Sequence, residues 1–435
     1  MHHYIKQLVW YPCHYTMRWR TVFLFKAALS AFPFVLRLFG MFPYSFDEIG
    51  KRVKLSKSCM LYTVVYLMAY AVALVQYSLM AMRARIMEKR NNSILLLATY
   101  STIYLNGIFA CLVGLIYRKR IHFLYNQFIQ LWHLLSSDVP KNFDKKLFYR
   151  FAFKLLALDG LALVVGIVVR LRTYLLTRNR PALYDALWIG FFLGMNASVT
   201  NLFVAVGYIG AHLHRLLNYR LLRINEKLHN IEHVQHYWRM NPAKKLLVLK
   251  KMNTELHQLA LWHGEINQLT QGFMDVHGLS LFMTVLKDFV VIITGFFGTY
   301  MLVVIPLERN QTPEIVALGF NLYMAIFYCC QFFFLVESGA MFTRRVRVRL
   351  ITYFQMHELY RFQADKTGLI IDDFGIPKTN ENIDNTIEMI SLELLHRNNA
   401  IENCGLYKLD FSLMYTSFTS MATYLILAVQ FQMKE

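Results

Sequence analysis

Seven stretches of this sequence stay apolar for long enough to cross a lipid bilayer, and that repetition constrains the fold more than any other feature. They are 58–82, 91–117, about 149–169, about 186–211, about 279–305, the run bracketed by Glu314 and Glu337, and 411–433. An α-helix rises about 1.5 Å per residue and the hydrocarbon layer is roughly 30 Å thick, so about twenty apolar residues suffice for a crossing. Inside lipid each backbone N–H and C=O has to be satisfied by the segment itself, and runs this long therefore read as helices. The expected fold is all-α: a polytopic membrane protein with seven transmembrane helices, forming a single domain over 1–435. The third run is the least uniform, because Lys154 and Asp159 fall within it, and the fifth carries Lys287 and Asp288.

Composition agrees. Of the 435 residues, 56% are hydrophobic and 15% aromatic, with a mean hydropathy of +0.34, which is too apolar for a soluble domain of this length. The formal net charge of +19 lies in short blocks between the apolar runs. That placement fits orientation signals in membrane loops and argues against a nucleic-acid partner. No cleavable signal peptide is expected, since 21–36 carries Lys26 and Pro33 and has no small-residue cleavage site. The six cysteines show no metal-ligand spacing.

Most Lys and Arg fall in 1–57, 118–150, 213–278 and 339–409, which places these pieces and the N-terminus in the cytoplasm. An odd number of crossings then puts the C-terminus outside. The sequons at Asn91 and Asn310 fall in short outside loops and are candidate glycosylation sites. This topology is the reverse of a G-protein-coupled receptor.

The pieces outside the spans have characters of their own. Residues 1–57 carry Lys26, Arg37 and two prolines near the apolar part, and read as an interfacial or re-entrant helix. Spans one to six occupy 58–338. Within 213–278, Leu213, Leu217, Leu221, Ile224, Leu228 and Ile231 keep a helical period, as do Leu246, Leu249, Met252, Leu256 and Leu259. Asn241-Pro242 separates the two series, so a helical hairpin below the membrane is expected. In 339–409, Arg344, Arg345, Arg347 and Arg349 read as anchors at the membrane interface, where lipid is the partner. Residues 365–386 read as an exposed link, followed by a helix over 383–403.

The last span, within 410–433, is uncharged but not uniformly greasy. Ser412, Thr416, Thr419, Thr423 and Gln430 recur on one helical face, beside Ser417, Ser420 and Tyr424. A polar stripe in lipid either bonds to other helices or lines water where several copies pack about an axis. Both readings are open from the stripe alone.

The wording of that span narrows the choice. Thr423-Tyr424, five apolar residues and Gln430-Phe431 resemble the signature that closes insect gustatory receptors, and Cys404-Gly405-Leu406 is similar to that family's lead-in. Leu38-Phe39-Gly40-Met41-Phe42-Pro43 is similar to its N-terminal segment. The resemblance implies a tetrameric, ligand-gated cation channel, assembled from this chain alone or with related receptors. It also implies that the last helix lines the pore, with Thr416, Thr419, Thr423, Leu427, Gln430 and Phe431 at pore or gate. Permeant cations and a small-molecule tastant are then the partners. Helical extensions below the membrane join subunits in that family, although from sequence alone 213–278 packs equally well within one chain. The family's main sugar-receptor clade often has an acidic residue after Thr-Tyr; Leu425 stands there, which favours bitter or other non-sugar cues.

Other chemistry is thin. His229, His233 and His236 have helical spacing but no glutamate in a zinc-protease pattern, and read as a solvated face. No phosphate loop or nucleophile elbow occurs, so neither an enzyme, a metal nor a cofactor is expected. Lys154, Asp159, Lys287 and Asp288 can snorkel or pair near the inner interface. Aromatics in the outer halves of spans, Tyr100, Tyr104, Trp188, Phe192, Phe297, Tyr300 and Tyr323, are candidates for a ligand pocket. The expected location is the plasma membrane of chemosensory neurons. The competing function is a secondary transporter of small molecules.

Overall fold

The computed structural model describes residues 35–47, 52–88, 92–136, 145–177, 180–233, 242–308, 315–343, 385–389 and 400–432. Its helices are α1 (Lys57–Glu88), α2 (Asn92–Ile116), α3 (Arg118–Ser136), α4 (Lys145–Phe153), α5 (Gly160–Thr177), α6 (Arg180–His233), α7 (Pro242–Val276), α8 (Gly278–Glu308), α9 (Ile315–Thr343) and α10 (Phe411–Gln432). A π-helical segment, Lys154–Asp159, joins α4 to α5. Two small antiparallel hairpins complete the described residues: β1 (Tyr44–Asp47) with β2 (Arg52–Leu55), and β3 (Glu402–Asn403) with β4 (Tyr407–Lys408). Seven helices are long and apolar enough to cross a membrane, including the third over Tyr149–Val169.

The fold is organised around α6. Its span half is almost wholly buried, from Leu193 through Ile224, and it packs against α5, α7 and α9. At 54 residues it is about 80 Å long, far more than a bilayer requires. The surplus emerges at one end and packs along α7, whose buried Leu249, Met252, Leu256 and Leu259 match the apolar period read from sequence. Pro242 opens α7, where the missing N–H of proline is no loss. Around α6, α1 pairs with α2, α8 with α9, and α2 with α8.

The start of the described chain is a turn and a hairpin. The sequence predicts an interfacial or re-entrant helix within 1–57; residues 1–34 and 48–51 lie outside the described residues, and the others form a short helical turn followed by the β1–β2 hairpin. Gly40 ends the turn at φ +72°, with its N–H donated to Arg37 O and that of Met41 to Leu36 O. This double bond is a Schellman cap, and buried Leu36 and Met41 supply its apolar contact. Pro43 then prevents further helix. The hairpin is held to α3 by Val53, whose N–H donates to Asn126 Oδ1 at 2.9 Å, and by the Tyr44 hydroxyl donating to Arg118 O. Burial pushes the Tyr44 phenol far above its ordinary range.

Two further boundaries move. Glu337 does not end the sixth span, because α9 runs on to Thr343 with Glu337 buried inside it. The helix expected over 383–403 does not reach its end: 385–389 is helical, but 400–401 is irregular and 402–403 is strand. Cys404 and Gly405 have φ of 48° and 71°, and Leu406 N–H donates to Asn403 O at 2.8 Å. Two central residues at positive φ are what a tight hairpin turn requires, so Cys-Gly reads here as a turn.

Candidate functional site

The last helix, α10, leans on α8 and α9 through one face. Phe418 meets Phe332 edge-on with ring centroids 6.0 Å apart, Phe411 lies beside Phe333, and Tyr424 beside Phe289. Of its residues up to Phe431, Met421 alone is buried. The polar stripe lies roughly opposite the Phe411–Phe418–Met421 side at about 100° per residue. Ser412, Thr416, Thr419, Thr423 and Gln430 are all exposed. Within this chain the stripe is therefore not glue between helices.

The threonines have a further property. Thr416, Thr419 and Thr423 donate their hydroxyl protons to the carbonyls of Ser412, Tyr415 and Thr419, at 3.0, 2.9 and 3.1 Å. Each hydroxyl is thereby left with outward lone pairs. Such a surface accepts hydrogen bonds from water and offers oxygen to cations. Leu427 and Phe431 are exposed near the same end as Gln430. Asp410 caps the helix, its Oδ1 accepting from Ser412 N–H at 2.9 Å and Leu413 N–H at 3.2 Å.

A second polar assembly lies inside the bundle. Lys154 and Asp159 bracket the π-helical segment and approach to 3.4 Å. The Lys154 ammonium donates to Asn201 Oδ1 and to Gln331 Oε1, the latter at 2.6 Å. The same two amides donate to Asp159, Asn201 at 2.6 Å and Gln331 to the other carboxylate oxygen. Lys287 pairs with Asp288 at 2.9 Å and lies over the Tyr328 ring. Toward the end of the bundle that carries α7, Arg150 pairs with Glu337 at 2.9 Å, and the Tyr208 hydroxyl donates to the same carboxylate.

These charges pair within the bundle and do not snorkel. Lys154, Lys287 and Asp288 are wholly buried. Lys287 lies about 14 Å along the axis from the first residue of its span, about a third of the way along Gly278–Leu307. Sequence reasoning found the four charges in spans three and five but missed Asn201, Gln331, Tyr208 and Arg150. A buried amide in an apolar run was the available signal, since it has to find a partner.

The candidate pocket aromatics come together only in subsets. Tyr100 stacks on Tyr77 of α1 with 4.8 Å between centroids, Tyr104 lies tilted against the same ring at 5.4 Å, and Tyr104 is completely buried. Phe297 and Tyr300 lie 6.5 Å apart on α8. Tyr323, partly buried on α9, does not join them: Ala325 and Asn321 are the α9 residues that face Gly295 and Gly298 of α8, and position 323 lies on the opposite side of that helix. Thr99 and Thr294 share a hydrogen bond of 2.9 Å that joins α2 to α8. The side chains of Trp188 and Phe192, both on α6, lie outside the described residues, as do Asn91, Asn310, His236 and the arginines at 344–349. Among the described residues no group of three or more His, Cys, Asp or Glu has the arrangement of a metal site.

Seven bilayer-length helices, the last of them polar-striped and at the edge of the bundle, mark a multi-pass membrane protein. Residues 33–435 match the family described as 7tm Chemosensory receptor, and the chain belongs to it. The fold is similar to that of the insect olfactory receptor OR5 from Machilis hrabei, with a TM-score of 0.61 at 12% identity, over 93% of this chain and 98% of that one. It is also similar to OR5 in complex with eugenol, with a TM-score of 0.64 at 13% identity, over 94% and 99%. No curated protein sequence matches the chain.

Proposed function

We propose that this chain is a gustatory, contact-chemosensory receptor that acts as a ligand-gated, nonselective cation channel in the plasma membrane of chemosensory neurons. Four copies, or copies mixed with related receptors, pack with α10 toward a common axis. The observation that carries this reading is the stripe of α10. Its threonines are exposed, their protons are committed to their own helix, and a bilayer offers such a face nothing in return. Facing the same stripe of other copies across water gives it a solvent and gives cations a path. Gln430 and the apolar Leu427 and Phe431 would form the constriction. Helices α6 and α7 would carry subunit contacts in the cytoplasm.

The ligand is a small organic molecule, bitter or otherwise not a sugar, bound among spans near Tyr100, Tyr104, Phe297 and Tyr300. The eugenol complex of OR5 supports a small organic ligand for this fold. The first test is whole-cell current under a panel of tastants, wild type against Gln430→Ala. A ligand-evoked current reversing near zero, with altered permeation in the variant, is expected. Ligand uptake without current, unchanged by the substitution, overturns the reading.

One observation favours a transporter. Asp288 is wholly buried within its span, and its Oδ2 has no hydrogen-bond partner. Such groups relay protons in some pumps. Gradient-driven uptake abolished by Asp288→Asn is the outcome that would establish it.

A further inference from the structure

The hairpin 402–408 runs into α10 through two residues, and its free edge is clamped by one side chain. The Gln271 amide donates to Glu402 O at 2.7 Å and accepts from Glu402 N–H at 3.1 Å. Leu409 N–H donates to Ile401 O, so the strands pair through their other edge. Gln271 thus acts as a one-residue third strand supplied by α7. The same amide nitrogen donates to Asp275 at 2.7 Å, one turn on, which holds the side chain in place.

Two helix ends close on the hairpin from other directions. A Cβ built on Gly278, the first residue of α8, would overlap Cys404 Sγ and lie 3.0 Å from Asn403 Oδ1. One built on Gly339, near the end of α9, would overlap Leu409 O. Ile401 and Leu409 are buried against this frame. The base of α10 is therefore held by α7, α8 and α9, whereas its shaft buries only Met421. The difference between a base docked on three helices and a shaft exposed along most of its length is the basis of the inference.

We propose that Gln271 is a positioning residue for α10. It docks the hairpin on α7, and the docked hairpin stays fixed while the shaft of α10 moves, so the long helix α7 sets the resting tilt of the last span. The gating half of this statement rests on the channel reading above. The docking half does not.

Gly278→Cys provides the test, because Cys404 Cβ lies 3.9 Å from the new Cβ, within the range that disulfides span once Sγ rotates. Mild oxidation of the full-length receptor in membranes is expected to link the two, as read by non-reducing peptide mapping. Adding Gln271→Ala is expected to slow linkage by about tenfold, the factor that two lost hydrogen bonds allow. Hydrogen exchange at the Glu402 amide, compared between wild type and Gln271→Ala, reads the same clamp without the introduced cysteine and decides the question if Gly278→Cys does not fold. Unchanged linkage or unchanged exchange overturns the docking.

For gating, the linked Gly278→Cys receptor is expected to open to ligand with the same maximal current before and after reduction. Gln271→Ala is expected to shift the half-maximal ligand concentration by about tenfold with an unchanged reversal potential. Current lost on oxidation and restored by reduction overturns the fixed base. A wild-type chain with no current counts against the channel reading alone, since linkage and exchange still decide the clamp.

Discussion

Lys154 and Asp159 meet at 3.4 Å because the helix between them is π-helical. On an α-helix, positions five apart lie about 140° around the axis and would face different neighbours. The wider turn aims both at Asn201 and Gln331, and each amide bonds to both charges. Spans three, four and six are closed into one ring. Such segments occur most often where a helix performs a task beyond packing.

Removing one member of this ring leaves the other charge stranded. Asp159→Asn is expected to destabilise the detergent-solubilised protein by about 3–5 kcal/mol, the usual cost of breaking a buried pair. The double change Lys154→Met with Asp159→Leu is expected to recover most of that loss. Thermal unfolding followed by size-exclusion chromatography checks both. A double variant as unstable as the single one would show that the amides need the charges.

Exposure on α10 predicts a pattern of chemical access. Cysteines at Thr416, Thr419 and Thr423 are expected to react quickly with a water-soluble thiol reagent and to change any ligand-evoked current. A cysteine at Met421, which is buried, is expected to react at least tenfold more slowly. Equal rates at all four positions would remove the stripe as a water-facing surface.

Acid should loosen the junction between α7 and α8. His277 is buried there with its ring stacked on Phe273 at 4.5 Å, and burial pushes the imidazole down to about 3. The native state then binds fewer protons than the unfolded chain between about pH 6.5 and that value. Stability from this group is full above the unfolded pKa and falls as pH drops through the window. At pH 5 the loss is about 2 kcal/mol. His277→Phe is expected to flatten the acid arm of a melting-temperature profile, and an acid arm as steep as that of the wild type counts against this assignment.

Gly40 is expected to tolerate no side chain. Its φ of +72° disfavours an L-residue, and a Cβ there would lie 2.6 Å from Tyr66 Cβ, an atom that no rotamer moves. Gly40→Ala should cost at least about 2 kcal/mol. A melting temperature indistinguishable from wild type would contradict the Schellman assignment.

The spans, the α6–α7 pair and the stripe of α10 were legible in the sequence because each is a periodic pattern repeated over many residues. What escaped depends on single contacts between distant positions. Lys154 and Asp159 are visible as charges, but nothing local says that Asn201 and Gln331 will reach them or that the helix widens to allow it. Asn403 and Tyr407 pair as strand residues, and the outer edge of that hairpin at Glu402 is met by Gln271, 131 positions away. Gly40 and Gly405 read as motif letters in the sequence, and only the backbone explains them as a cap and a turn.

The length of α6 has a consequence for the membrane itself. The helix is continuous from Arg180 to His233, so a tilt of its apolar half carries over to the rest. A bilayer thinner or thicker than the span tilts helices to match. Pivoted at the interface, a tilt of about 5° moves the far end of a projection of about 33 Å by about 3 Å. The projection packs antiparallel to α7, with His214 bonded to Asn267 and Arg220 over the Trp262 ring, and α7 holds the hairpin through Gln271. Short-chain and long-chain lipids are therefore expected to bias the tilt of this rod in opposite directions.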